Sequence, residues 1–220
     1  MTDSLDVRFV GDDSLRIDGL SRGRRDGWCF DLQAQGGWVE IVPGRSSVTV
    51  QFDPLEILPE DARRKLVSLE NQVASVVAPT PDPITIPVAY GGDYGPDLDA
   101  VCEALGMTQD RLIDQHTSNV HIVDFLGFTP GFAYLYTDQK NEIHVPRLDG
   151  PRQRVSIGSV GVVGGSTGLY ALAGPGGWPI IGRSPMKLFD ATSTPPSQLA
   201  SGQKVIFCAI SADTFKDLAE

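Results

Sequence analysis

Four arginines, Arg147, Arg152, Arg154 and Arg183, flank or enter a glycine-rich stretch, Gly158 to Pro185, in a chain whose formal net charge is −10. A guanidinium presents a planar fork of donors that matches carboxylate and phosphate. Such a cluster in an acidic protein points either to an anion site or to surface charge balance. The stretch between them reads GSVGVVGGSTGLYALAGPGGWPIIGRSP and holds nine of the chain's 24 glycines. Successive amides in glycine turns form concavities that hold anions. The residues between the glycines, among them Val160, Val162, Leu169, Tyr170, Ile180 and Ile181, suit strands. The stretch therefore predicts two or three short strands with glycine corners, opening on a polar-lined pocket or simply closing a barrel. Phe128, Phe132, Tyr134, Tyr170 and Trp178 could wall such a pocket or fill the core.

Two literal motif matches fail on their surroundings. Gly164 to Gly168 spells G-x-S-x-G, but a nucleophile elbow needs a helix after its serine and a histidine later in the chain. Here Leu169 to Leu172 runs into more glycines, and the last histidine, His144, lies upstream. Gly177 to Ser184 differs from a P-loop by arginine in place of lysine; Pro179 removes an amide donor and Pro185 blocks a helix start. His116 and His121, with His144 later, lack the further ligands a zinc site needs, so no metal is expected. His116 stays as a candidate acid–base or substrate contact, because it ends a helix where the barrel begins.

Length and composition bound the possibilities. At 220 residues the chain fits one large domain or two small ones. Its negative charge argues against nucleic acid as a partner. The acidic start, MTDSLDVRFVGDD, has no apolar run, so no signal peptide is expected, and no stretch is apolar for long enough to span a membrane. Three widely spaced cysteines, Cys29, Cys102 and Cys208, fit a reducing cytoplasm.

The elements that must position these residues follow from pattern. Residues 5–10 and 14–17 read as a hairpin, and residues 19–37 carry no helical period; their RGRRDG cluster reads as a solvated loop. Strands are expected at Trp38 to Val42 and Ser47 to Phe52. A helix opens at Pro59 with the stripe Leu66, Leu69, Val73 and Val76. Residues 1–77 thus form a small α+β domain, residues 78–83 a proline-rich linker, and residues 84–220 a mainly β domain. In the latter, Ile84 to Val88 is a strand. Leu98, Val101, Cys102 and Leu105 mark a helix ended by Gly106, and Thr108 caps a second helix. Val120 to Phe125, Ile143 to Val145, Lys187 to Phe189 and Lys204 to Ile210 are extended. Many short strands with glycine corners suggest a closed β-barrel of mixed connectivity.

Several blocks together resemble a known family. Tyr90-Gly-Gly-x-Tyr-Gly-Pro-Asp-Leu98, Gly127-Phe-x-Pro-Gly-Phe-x-Tyr134, Gly158-Ser-Val-Gly161, Thr167-Gly-x-Tyr170 and Pro175-Gly-Gly-Trp-x-x-Ile-Gly-Arg-Ser-Pro185 are similar to those of the 5-oxoprolinase B subunit. The same family has been called allophanate hydrolase subunit 1 and the Kip inhibitor of a sporulation histidine kinase. The resemblance implies a cyclophilin-like barrel after a small α+β domain. It implies as partners a paralogous C subunit and an A subunit, in an ATP-dependent opening of 5-oxoproline to glutamate, with ATP as a substrate accompanied by magnesium. The alternatives it carries are a regulator that binds a histidine kinase and a urea or allophanate carboxyltransferase-type module. Carried onto this chain, the motif positions imply His116, Arg154 and Arg183 as catalytic residues. Phe132, Tyr134, Ser159, Thr167 and Tyr170 become substrate or nucleotide contacts.

Overall fold

The computed structural model describes residues 5–70, 82–137 and 142–219. The chain divides into two compact units, Met1–Pro79 and Thr80–Glu220. In the first, β1 (Val7–Phe9) and β2 (Ser14–Ile17) form the expected hairpin, and β3 (Glu40–Pro43) and β4 (Val48–Gln51) complete an antiparallel sheet of order β1-β2-β4-β3. The period-2 alternation of Leu15 and Ile17 with Val48 and Val50 turns one face inward. That face packs on Trp28, Leu32, Ala62 and Leu66.

Residues 19–37 depart from expectation. They contain α1 (Arg22–Gln35), whose Gly23 and Gly27 and weak stripe hide it from pattern reading. Tertiary packing supplies what propensity lacks. Trp28 and Leu32 are fully buried, and Arg25, expected in a solvated loop, is buried as well. Its guanidinium donates to the Gly44 and Arg45 carbonyls, at 3.1 and 3.4 Å, and to Asp26. The helix α2 (Pro59–Ser68) starts with proline at its first turn and places Glu60 and Asp61 there, where acidic side chains complement the dipole. Val73, Val76 and most of the proline-rich linker lie outside the described residues.

The second unit is a closed barrel. Its strands are β5 (Ile84–Tyr90), β6 (Val120–Leu126), β7 (Ala133–Tyr136), β9 (Ser159–Val163), β10 (Ser166–Leu169), β12 (Ile180–Arg183) and β13 (Lys204–Ala209), closed in the order β10-β7-β6-β13-β5-β12-β9. Every pairing is antiparallel except β13 with β5. A separate pair, β8 (Arg152–Val155) with β11 (Gly174–Gly176), forms a small arm. The interior is packed with Ile86, Val88, Val123, Leu135, Val160, Val162, Leu169 and Phe207.

Between β5 and β6 stand α3 (Leu98–Leu105) and α4 (Gln109–Ser118). Gly106 ends α3 in the left-handed conformation, and the Thr108 hydroxyl accepts from the Arg111 amide at 3.3 Å, as capping chemistry dictates. A fifth helix, α5 (Ala212–Ala219), was not visible as a pattern because Phe215 is the one buried residue recorded in it. Ile143 to Val145 forms no strand, although its carbonyls accept from the Gly165 and Gly164 amides at 3.1 and 2.9 Å. Residues 187–189 make a single bridge, Phe189 with Ser197. Among the described residues no helix is long and apolar enough to cross a membrane.

The glycine-rich stretch supplies four short strands, and one glycine in it is indispensable to the closure. Gly158 has φ +81°, and a Cβ built there would lie 2.1 Å from the Ser184 carbonyl oxygen. Its amide donates to Tyr170 and its carbonyl accepts from Ser184, at 2.7 and 2.8 Å, so one residue joins two turns. Gly158→Ala should cost about 2 kcal/mol or more, from the left-handed backbone together with a clash against main chain. A fall in the urea midpoint with little change in m checks this; a midpoint within error of the parent would contradict it.

Candidate functional site

Most of the polar residues singled out in the sequence divide between two separate cavities and a cluster of aromatics, while Arg147 is exposed and lines neither cavity. The first cavity is lined by His116, Asn119, His121, Thr137, Ile143, Gly165, Ser166 and Thr167. His116 is fully buried at the end of α4. Its Nδ1 lies 2.7 Å from the Tyr90 hydroxyl and its Nε2 lies 3.2 Å from Thr167 Oγ1. A neutral imidazole donates from one nitrogen and accepts at the other, so His116 links the two hydroxyls. His121 Nε2 donates to the His116 carbonyl at 3.0 Å, and Phe207 stacks on the His116 ring at 4.4 Å. Burial, helped by the neighbouring His121, holds His116 well below the ordinary imidazole range. Burial lowers His121 too, and it pushes the Tyr90 hydroxyl up. The network is thus neutral, and its cavity, about 10 Å³, has room for a single water.

The second cavity is larger, about 130 Å³, and is lined by Asp93, Tyr94, Pro96, Arg152, Arg154, Val155, Ser156, Ser159, Ile180 and Arg183. The barrel ladder sets two of its walls: Ser159 on β9 pairs directly with Arg183 on β12. Ser159 is buried. The arm strand β8 brings Arg152 and Arg154. Arg152 is neutralised by a two-pronged pair with Asp97, at 2.8 and 2.7 Å. Arg183 donates from Nε to the Ile157 carbonyl at 2.8 Å, and its guanidinium lies 5.6 Å from the centre of the Phe215 ring on α5. Phe215 in turn packs on Tyr94 at 4.4 Å. Among the described residues neither Arg154 nor Arg183 has a carboxylate partner.

The structure therefore brings together Ser159, Arg154 and Arg183 and sets His116 and Thr167 apart from them. The reason is register. Thr167 pairs with Val162 near one end of the β9–β10 ladder, whereas Ser159 lies at its other end. Phe132, Tyr170 and Trp178 are buried. Phe132 makes edge contacts with Tyr134, Tyr170 and Trp178 at 4.8, 4.9 and 6.0 Å. Tyr134, half-buried, stacks on Phe125 at 4.4 Å. Gly168 sits under this cluster: a Cβ there would lie within 3 Å of Phe132 and Trp178. None of these aromatics lines the arginine cavity. Among the described residues no group of three or more His, Cys, Asp or Glu is placed to hold a metal ion.

Comparison with known proteins decides the family. The family model for the carboxyltransferase domain, subdomain C and D, matches residues 27–199. A 5-oxoprolinase B subunit from Bacillus subtilis is 36% identical over 185 residues, covering 80% of this chain and 77% of the relative. Another, from Escherichia coli O157:H7, is 40% identical over 169 residues, covering 77% of each. The chain belongs to the family of 5-oxoprolinase B subunits. Among solved structures, a conserved uncharacterized protein of Pyrococcus horikoshii is 35% identical with a TM-score of 0.58, covering 96% of this chain and all of that one. The urea carboxylase of Kluyveromyces lactis superposes with a TM-score of 0.77 at 16% identity, covering 97% of this chain and 22% of that one. That likeness is of fold.

Four members of the arginine cavity or its support were not singled out from sequence: Asp93, Tyr94, Asp97 and Phe215. Asp93, Tyr94 and Asp97 all fall in the Tyr90 to Leu98 block that carried the family resemblance, so a signal existed. Phe215 had none, since its role depends on where α5 lands.

The buried histidines predict a pH dependence. Both are held below the unfolded value of 6.5, so as pH falls through 6.5 the unfolded chain binds protons first. The stability due to the neutral pair is complete above that value and is lost below it, by at most about 1.4 kcal/mol per pH unit for each histidine. Urea midpoints between about pH 7.5 and about pH 5 should fall, and fall less steeply in His116→Gln. Equal slopes in both proteins would remove His116 from the account.

Proposed function

We propose that this chain is the B subunit of an ATP-dependent 5-oxoprolinase-type amidohydrolase, working with a paralogous C subunit, together with an A subunit, on a small cyclic amide in the cytoplasm. The observation that carries this reading is the match to 5-oxoprolinase B subunits at 36–40% identity over most of their length. A cavity lined by two guanidiniums, neither with a carboxylate partner among the described residues, supports it. In this reading the barrel is cyclophilin-like.

The chemistry asks for charge stabilisation. A lactam carbonyl is a poor electrophile. Attack of its oxygen on the γ-phosphorus of ATP releases ADP and leaves a phosphorylated imidate. Water then adds to the ring carbon and the C–N bond opens to give an acyl phosphate, and a second water hydrolyses that to glutamate and inorganic phosphate. Donors fixed beforehand around a charged substrate orient it for such a reaction. Arg154, Arg183 and the Ser159 hydroxyl are the donors this chain offers in one place. ATP, with magnesium, enters as a substrate. His116 acts here as a positioning residue: its imidazole holds Thr167 and Tyr90 in one hydrogen-bonded unit.

Reconstitution tests the reading. ATP turnover by the three subunits together should require 5-oxoproline and yield glutamate. Arg183→Ala should lower that turnover at least about 100-fold, the loss expected when a group that orients the substrate is removed, while the melting temperature stays nearly unchanged. An intact complex with no 5-oxoproline-dependent turnover would refute the assignment of substrate. A large loss of melting temperature in Arg183→Ala would instead make that arginine structural.

A further inference from the structure

The arginine cavity carries more information than its sign. Charge can be counted residue by residue. Arg152 is cancelled by Asp97, which also accepts from the Ile180 amide at 2.6 Å. Arg154 and Arg183 remain without a carboxylate partner among the described residues, and the exposed carboxylate of Asp93 also stands on the lining. With Arg152 cancelled by Asp97, the formal charge of the described lining is thus one positive. Its size points the same way. At about 130 Å³ it is well below the roughly 300–1,000 Å³ of sites that enclose drug-sized ligands.

Two of the donors, Ser159 and Arg183, are held in place. Ser159 is buried and fixed by the β9–β12 ladder, with its amide donating to Ser156 at 3.3 Å and its carbonyl accepting from Tyr170 at 2.9 Å. Arg183 is tethered at Nε to the Ile157 carbonyl and faced by the Phe215 ring, which leaves its two terminal nitrogens for a ligand. A guanidinium with two such nitrogens, a second guanidinium and a hydroxyl is the donor set a carboxylate takes in a two-pronged fashion. A nucleoside triphosphate brings several negative charges and a bulk the cavity does not offer.

From the one net charge, the volume and the donor set we infer that this cavity holds the carboxylate of a compact, singly charged substrate, and that the nucleoside triphosphate is held by another chain of the complex. The inference rests on the reading of the chain as one component of a lactam-opening enzyme and divides the labour within it. Phe215 and Tyr94 brace the site, and Asp97 fixes the arm that carries Arg154.

The test uses the full ¹⁵N-labelled chain alone, followed through the amides of Ser159 and Arg183. It is titrated separately with 5-oxoproline, the neutral primary amide of 5-oxoproline, acetate and Mg-ATP. 5-Oxoproline should move these amides and bind at least about tenfold more tightly than its amide, the loss expected for a hydrogen bond to a charged group. Arg154→Gln should erase that difference without weakening the neutral compound. Mg-ATP should neither move the amides nor displace 5-oxoproline. Equal binding of acid and amide overturns the inference, as does displacement by Mg-ATP. Should acetate bind through Arg154 while 5-oxoproline does not compete, the carboxylate site stands and the 5-oxoprolinase reading fails. If neither carboxylate moves the amides, the site itself is lost, whatever the assembled complex turns over.

Discussion

One carboxylate, that of Asp97, ties the functional end of the barrel together. It sits at the start of α3, nearly buried, and accepts three hydrogen bonds: two from the Arg152 guanidinium and one from the Ile180 amide. The Asp97 amide in turn donates to the Ile180 carbonyl at 3.0 Å. The helix, the barrel strand β12 and the arm strand β8 are therefore locked at one point. Removing the carboxylate would strand a half-buried guanidinium and a buried amide together, and groups left unpaired cost more than the bond itself returns. Arg152 is spent on this joint, and among the described residues the neighbouring Arg154 and Arg183 have no carboxylate partner.

The closure of the barrel explains why the polar residues separate into two places. Short strands force register to do the positioning, and a few residues along the β9–β10 ladder carry the chain from the arginine cavity to the buried histidine network. The histidine network is buried, neutral and fully paired at His116, so it stiffens the join between α4 and the barrel. The arginine cavity is lined by charged side chains. Glycine makes the close approaches possible: at Gly158 the backbone passes so near Ser184 that a side chain has no room.

Much of this was legible in the sequence, for identifiable reasons. The capped helices α3 and α4 announced themselves through period and through Thr108 and Gly106. The barrel followed from short β-prone runs between glycines, and the arginine cluster stood out against an acidic chain. The helix α1 was missed because its stability comes from buried Trp28, Leu32 and Arg25 rather than from a stripe. The helix α5 was missed although Ser211, whose hydroxyl accepts from the Thr214 amide, offered a cap at its start. The separation of His116 from Arg154 and Arg183 was also hidden, since it depends on ladder register, which composition does not encode. The family resemblance marked the right blocks of sequence but not which residues within them share a cavity.

The division of labour among the chains of the complex is the central claim, and steady-state kinetics of the assembled complex address it most directly. In Arg154→Lys the charge is kept while the fork of donors is lost. The account predicts that KM for 5-oxoproline rises at least about tenfold while KM for ATP stays unchanged. A rise in KM for ATP, with that for 5-oxoproline unaffected, would place the nucleotide in this cavity and contradict the account.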